Sequence, residues 1–265
     1  MAISTYIKMV SEMDKTQTKF PTVTMYGIDV SKMNMKETVQ HLTEAIQHKK
    51  THQVITANPI MFMAALNDAT FAKAMQSAEL VVPDGTGLVW AADYIGQPVK
   101  ERVPGFDLMF ELLKVANEKQ WKVYMLGTTA EVIQGSSAKL KMQFPNVQFV
   151  GARDGYFSEN EDMQVIEDIL KLSPDLLFVA RSVDTQEPWI YKYKHKLDIP
   201  VMMGVGGSFD IIAGKLKRAP KWMQKLRLEW FYRLLQQPSR YKRMLDLPKF
   251  VFRVKKDKHI ITEKR

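Results

Sequence analysis

The chain of 265 residues contains no cysteine, and its five histidines, His41, His48, His52, His195 and His259, are scattered without the spacing of metal ligands. A disulfide framework and a thiolate metal site are thereby excluded, and a reducing, cytoplasmic setting is compatible with the composition. No apolar window reaches the roughly 18 uncharged residues that a membrane-spanning helix needs. Residues 1–20 mix Lys8, Glu12, Asp14, Lys15 and Lys19 with short apolar pieces and offer no continuous stretch for secretion. Also missing are a GxSxG elbow, an HExxH pair, a calcium-type carboxylate loop and a DxD pair, so neither a metal nor a cofactor is expected. If the chain transfers a sugar from a diphosphate, arginines and backbone amides must neutralise the leaving group.

What is present is a globular composition, 46% apolar, with an abrupt charge break. Residues 215–265 hold 17 Lys and Arg against 4 Asp and Glu, whereas residues 1–214 are mildly acidic. This basic block is interleaved with Trp222, Trp230, Phe231, Phe250 and Phe252, which suits contact with something anionic and partly apolar, such as a membrane surface. Two units are expected: an α/β body over 1–214 and a basic, amphipathic appendage over 215–265. Trp222, Leu226, Trp230 and Leu234 recur every four residues and predict one helix face, and Pro238 and Pro248 divide the remainder of the appendage into shorter segments. No Gly/Ser spacer precedes the appendage, so docking on the body is expected.

Through the body, short β-like runs alternate with amphipathic helical stretches, the pattern of a Rossmann-like, doubly wound α/β fold with a mainly parallel sheet. Strands are predicted at 23–26, 53–56, 80–82, 122–126, 147–152, 176–180 and 201–204. Helices are predicted at 34–47, 59–68, 70–77, 87–95, 106–119, 130–143, 161–172 and 189–197. Ligands in such folds bind outside the carboxyl ends of strands, so the loops there are expected to share one rim.

Those loops carry the candidate chemistry. Pro83-Asp84-Gly85-Thr86-Gly87 sets one carboxylate directly after a strand. Asp84 suits a general base for a hydroxyl nucleophile, and equally a cap for the next helix. Thr56 and Asn58 share the ambiguity, because a helix start at Pro59 uses the same residue types. Arg102, before the rigid Val103-Pro104-Gly105 turn, reads either as an anion ligand or as a solvated side chain. Gly204-Val205-Gly206-Gly207-Ser208 offers amides to a phosphate, but its spacing is neither that of a dinucleotide fold nor that of a P-loop. Gln186-Glu187 ahead of Trp189 reads by itself as a helix start.

Taken together these pieces resemble the WecG/TagA/CpsF family of bacterial glycosyltransferases. The matching residues are Thr56-Ala57-Asn58-Pro59, Pro83 to Gly87, Arg102 to Gly105, Gln186-Glu187 with Trp189, Gly204 to Asp210, and Arg218-Ala219-Pro220-Lys221-Trp222 leading into Glu229-Trp230 and Arg233. The resemblance implies an inverting, metal-independent transfer of N-acetylmannosamine from a UDP-sugar donor to a polyprenyl-diphosphate-GlcNAc acceptor, as in teichoic acid synthesis. It implies Asp84 as catalytic base and Thr56 and Asn58 in the sugar pocket. Arg102, Gln186, Gly206 and Gly207 are implied in substrate handling, and Arg233, Arg240 and Arg243 at the diphosphate.

It further implies a cytoplasmic protein, peripheral on the inner face of the plasma membrane; the charge and arginines of the appendage add the expectation that it closes over the site. One stretch departs from the family pattern. Ser182-Val183-Asp184-Thr185 stands where relatives carry glycine, proline and a basic residue, so donor choice is open, including another UDP-hexose for capsule or exopolysaccharide. A homo-oligomer is a second way to cover the appendage's apolar face. A nucleic-acid-binding reading of the basic block leaves the strand-end loops without a task, so no nucleic acid partner is expected; a non-catalytic membrane scaffold is the other rival.

Overall fold

The computed structural model describes residues 20–258 and residue 261. The segment before Phe20, and His259, lie outside the described residues. The body runs β1 (Thr22–Met25), β2 (Ile28–Ser31), α1 (Met35–Gln47), β3 (His52–Ala57), α2 (Pro59–Asn67), α3 (Ala69–Gln76), β4 (Leu80–Pro83), α4 (Thr86–Tyr94) and α5 (Gly105–Lys119). It continues through β5 (Lys122–Gly127), α6 (Ala130–Gln143), β6 (Gln148–Arg153), α7 (Asp162–Leu172), β7 (Leu176–Ala180), α8 (Val183–Leu197), β8 (Val201–Gly204) and α9 (Ser208–Ala213). The basic segment forms α10 (Lys221–Lys225), α11 (Glu229–Gln236), a 3₁₀ turn at Pro238–Arg240, α12 (Tyr241–Met244) and α13 (Asp246–Lys256).

The strands form one eight-stranded sheet in the order β1-β2-β4-β3-β8-β7-β5-β6, parallel except for the β1–β2 hairpin. Strands buried on both faces explain the unbroken apolar runs Leu-Val-Val-Pro, Leu-Leu-Phe-Val-Ala and Val-Met-Met-Gly. Alternation then sorts the side chains. Val54 and Met203 join a core with α1, α5 and α6, while their neighbours Ile55 and Met202 point to the opposite face, covered by α2, α3, α4, α7 and α8. The β3–β8 pair joins the two halves of the sheet, so the carboxyl ends of β3, β4 and β8 open side by side.

The expected α/β architecture is present, with four local corrections. Ile28–Ser31 is an additional strand, reached through a tight turn in which Tyr26 and Gly27 both take positive φ. Helix α8 begins at Val183 rather than 189, so Asp184 and Gln186 stand in its first turn, and Pro188 lies inside the helix, where it has no amide proton to give the Asp184 carbonyl. The period-four face of the basic segment does not form one helix. The chain breaks between α10 and α11, with Arg227 at φ 62, and Trp222 and Leu226 stay exposed. Pro248 does not end an element either, since it occupies the first turn of α13, where a missing amide proton has no partner to lose.

Helix α13 lies on α2 and α4. It inserts Phe250 and Val254, both fully buried, into the core that holds Met61, Phe62 and Leu88.

Candidate active site

A cleft of about 520 Å³ opens over the ends of β3, β4 and β8 and is roofed by α11 to α13. Asp84 follows β4 directly, held there because the Asp84 and Gly85 amides both donate to the Ala57 carbonyl at 2.9 and 3.1 Å. Its carboxyl does not cap α4, whose N-cap is Gly85 without a side-chain bond, so it is available to the cleft. Asp84 is half-buried. Burial pushes its carboxyl up to about 6, against the pull of Arg102, the Gly105 amide and Arg233, while Glu229 pushes it further up. Gly85 is required by packing: a Cβ there would sit 2.5 Å from Pro59.

Asn58 takes the capping role, its side-chain oxygen accepting from the Ile60 and Met61 amides at 3.0 and 3.2 Å, and it still lines the cleft. Thr56 lines the cleft beside Gly105, where an added Cβ would approach its hydroxyl to 2.7 Å. Arg102 is not a solvated side chain. The Val103 amide donates to the Pro83 carbonyl at 2.9 Å, which pins the loop beside Asp84, and the guanidinium donates to Glu229 of α11 at 2.5 Å.

On the other wall Gln186 is buried, and its side-chain oxygen accepts from the Gly206 amide at 3.0 Å. Its amide nitrogen donates to Glu187 at 2.7 Å, and Gln53 of β3 donates to the other Glu187 oxygen at 3.2 Å. Burial pushes the Glu187 carboxyl up to about 7. Gly206 has φ +49, and a Cβ on Gly207 would meet the Arg233 guanidinium at 2.9 Å, so the loop lies directly under that arginine.

Arg233, Arg240 and Arg243 all line the cleft. Arg243 pairs with Asp184 at 2.7 Å, whereas Arg233 and Arg240 form no salt bridge among the described residues. Burial and the neighbouring Arg233 and Arg243 pull the Arg240 guanidinium down to about 10, with Asp210 opposing. A second pocket of about 650 Å³ adjoins across Gly206, Gly207 and Arg240, bounded by Thr128, Thr129 and Ser182 at the ends of β5 and β7.

The ten candidate site residues, Thr56, Asn58, Asp84, Arg102, Gln186, Gly206, Gly207, Arg233, Arg240 and Arg243, all line this cleft. Sequence reasoning read Glu187 only as part of a helix start and gave no role to Arg218 or Glu229, although all three stand inside the quoted motifs, and it assigned none to Gln53 or Asp107. Arg218 pairs with Asp107 at 2.7 Å and lies 4.0 Å from Glu229.

A partly buried carboxylate, Asp84, in one cleft with a glycine loop and with two arginines that form no salt bridge among the described residues suits a group-transfer enzyme with an anionic leaving group. The chain belongs to the glycosyl transferase WecG/TagA/CpsF family, which it matches over residues 23–263. It is 36% identical over 237 residues to the N-acetylglucosaminyldiphosphoundecaprenol N-acetyl-beta-D-mannosaminyltransferase of Bacillus subtilis (strain 168), covering 89% of this chain and 92% of that protein. The proteins of the same name from Bacillus spizizenii (strain ATCC 23059 / NRRL B-14472 / W23) and Staphylococcus aureus (strain MW2) are 37% and 34% identical over 219 and 241 residues. These matches cover 82% and 90% of this chain and 84% and 94% of theirs.

Proposed function

We propose that this protein transfers N-acetylmannosamine from a UDP-linked donor to N-acetylglucosamine on undecaprenyl diphosphate, with inversion and without a metal ion. The observation that carries the proposal is that Asp84, the Gly206–Gly207 loop, Arg233 and Arg240 line one cleft, with the Arg233 guanidinium against Gly207. The similar proteins share one activity in their names, and that name specifies a β-linked product. From an α-linked sugar diphosphate, a β product requires displacement with inversion.

In the proposed step Asp84 accepts the proton of the acceptor C4 hydroxyl as its oxygen bonds to the anomeric carbon. The bond from that carbon to the UDP oxygen breaks, and the electron pair leaves on the diphosphate. Arg233, Arg240, Arg243 and the loop amides balance the charge that develops there. A diphosphate at Gly206 and Arg240 leaves the sugar on the Asp84 side and the nucleoside toward Thr128 and Ser182, which accounts for two pockets meeting at that point. Arg102 and Gln186 support the site, Gln186 through the Gly206 amide. Asp184 is paired with Arg243, which offsets its negative charge beside the donor.

The appendage is the second functional unit of the proposal. Trp222, Leu226, Trp230, Phe231 and Leu235 remain exposed among its basic residues, a surface suited to the anionic inner face of a membrane. No helix among the described residues is long and apolar enough to cross one. The test is UDP release from UDP-N-acetylmannosamine with a short-chain lipid diphosphate N-acetylglucosamine, in the presence of EDTA. Acceptor-dependent release that survives EDTA supports the proposal; release only with a different UDP-hexose would reassign the donor, and silence across a donor panel would overturn it.

A further inference from the structure

An alternating chain of half-buried charges joins the appendage to the body next to the cleft. Asp107 of α5 accepts from Arg218, whose guanidinium also stacks 4.7 Å over Phe106 and stands 4.0 Å from Glu229. Glu229 in turn binds Arg102 at 2.5 Å. Two members come from the body, Arg102 and Asp107, and two from the appendage, Arg218 and Glu229. Glu229 opens the eight-residue helix α11, where an acid is favoured by the helix dipole, so its position is fixed from its own side as well.

Arg102 stands near enough to Asp84 to attract its charge, and the Gly105 amide three residues on bonds to the same carboxylate. No salt bridge forms between Arg102 and Asp84, because the guanidinium is turned to Glu229. Four groups thus face Asp84: Arg102 from the loop before α5, the Gly105 amide at the start of α5, and Glu229 and Arg233 from α11.

We propose that Glu229 is a positioning residue for the transfer reaction: by clasping Arg102 it ties the appendage across the cleft and keeps that guanidinium from pairing with Asp84. This rests on the reading of Asp84 as base. With the appendage away, Arg102 loses Glu229 and turns to Asp84, whose charge it already attracts, which makes Asp84 a poor proton acceptor. With the appendage docked, Glu229 takes Arg102, and the base regains its strength when the arginines of α11 and the turn after it reach the diphosphate. Base activation and leaving-group stabilisation are therefore brought about by the same docking event, which restricts turnover to the closed state and protects the donor from water.

The test uses the full-length chain and the pH dependence of kcat/KM for acceptor-dependent UDP release. Glu229→Gln preserves size and hydrogen bonding but removes the charge. It is expected to lower turnover about 5- to 10-fold and to move the acid limb about half to one unit to lower pH, as Asp84 loses a repulsive neighbour and gains an attractive one. Glu229→Asp, which keeps the charge, is expected to return the limb toward its wild-type position even where kcat stays reduced. An acid limb that does not move in Glu229→Gln overturns the proposal, since a merely structural clasp changes rate without changing the base. Full turnover in Asp84→Asn would instead remove the base assignment itself, and this inference with it.

Discussion

The Gln186 side chain accepts a hydrogen bond from the Gly206 amide at 3.0 Å while donating to Glu187 at 2.7 Å, so one buried amide holds the loop beneath Arg233 and closes a polar cluster under it. Gln186→Ala leaves the Gly206 amide and a Glu187 oxygen without these partners. A loss of about 1–3 kcal/mol in stability is expected from the unpaired buried groups. Because the loop is argued to bind the diphosphate, UDP affinity measured by calorimetry should fall as well. Unaltered UDP binding in a folded Gln186→Ala protein would show that the loop is held by its other contacts.

Asp84→Asn should separate activity from stability. Loss of the base is expected to reduce turnover by about 10²- to 10⁴-fold. In the wild type, kcat/KM should fall as pH drops through about 6, where the carboxyl protonates. The stability effect has the opposite sign. A carboxyl whose folded pKa is raised from 3.8 to about 6 favours the folded state when protonated, and that contribution is lost as pH rises through 6. The Asn variant should therefore unfold at a higher temperature than wild type at pH 8, by up to about 3 kcal/mol, with the gap closing near pH 4. Thermal unfolding at the two pH values decides it.

Sheet and helices were legible because parallel strands buried on both faces leave unbroken apolar runs, as in Leu176 to Ala180, whereas Asp68, read as the end of one helix, is the cap of the next. The rim could be read too, since Thr56 and Gly204 stand at the carboxyl ends of strands and Asp84 directly follows one. Long-range pairing could not. Glu229 looks like any dipole-friendly acid at a helix start until Arg102, 127 residues away, is found against it. The break at Arg227 was hidden for a related reason. The period-four pattern of Trp222 to Leu234 satisfies a helix locally, whereas docking of the chain around the cleft mouth demands a turn with positive φ.

Glu187 gives a pH signature distinct from that of Asp84. It lies buried between Gln186 and Gln53, and burial raises its carboxyl from 4.5 to about 7. Its stabilising contribution is thus complete below 4.5 and lost as pH rises through 7. Glu187→Gln, with nearly the same shape, should abolish this dependence and be more stable than wild type at pH 8, by up to about 3 kcal/mol. Chemical denaturation at pH 5 and pH 8 tests it, and a variant that is less stable at both values would mean that the ionised carboxylate is needed by its two amide donors.

Arg240 sits among like charges, with its guanidinium pulled down to about 10 by burial and by Arg233 and Arg243. Without an anion such a group opposes folding of the appendage; with a diphosphate it becomes the best-placed cation at the junction of the two pockets. Arg240→Gln should therefore raise the melting temperature of the free protein while reducing the shift that UDP produces. A lower melting temperature together with a full UDP shift would place the diphosphate elsewhere.

Phe250 and Phe252 stand two residues apart in α13 and should behave as opposites. Phe250 is fully buried and packs edge-on against Phe62 with ring centroids 6.0 Å apart; Phe252 is 72% exposed. Phe250→Ala should cost about 3–5 kcal/mol, because the cavity opens inside a core shared by α2, α4 and α13. Phe252→Ala should change stability by no more than about 0.5 kcal/mol and instead weaken binding to anionic vesicles. A cut after Gly214 removes Phe250, Val254 and the arginines together, uncovering Met61 and Phe62, so it should lower stability as well as activity. If the truncated body unfolds at the same denaturant concentration as the full chain, α13 contributes no net stability despite its buried side chains. The vesicle result for Phe252→Ala would then carry the appendage's role alone.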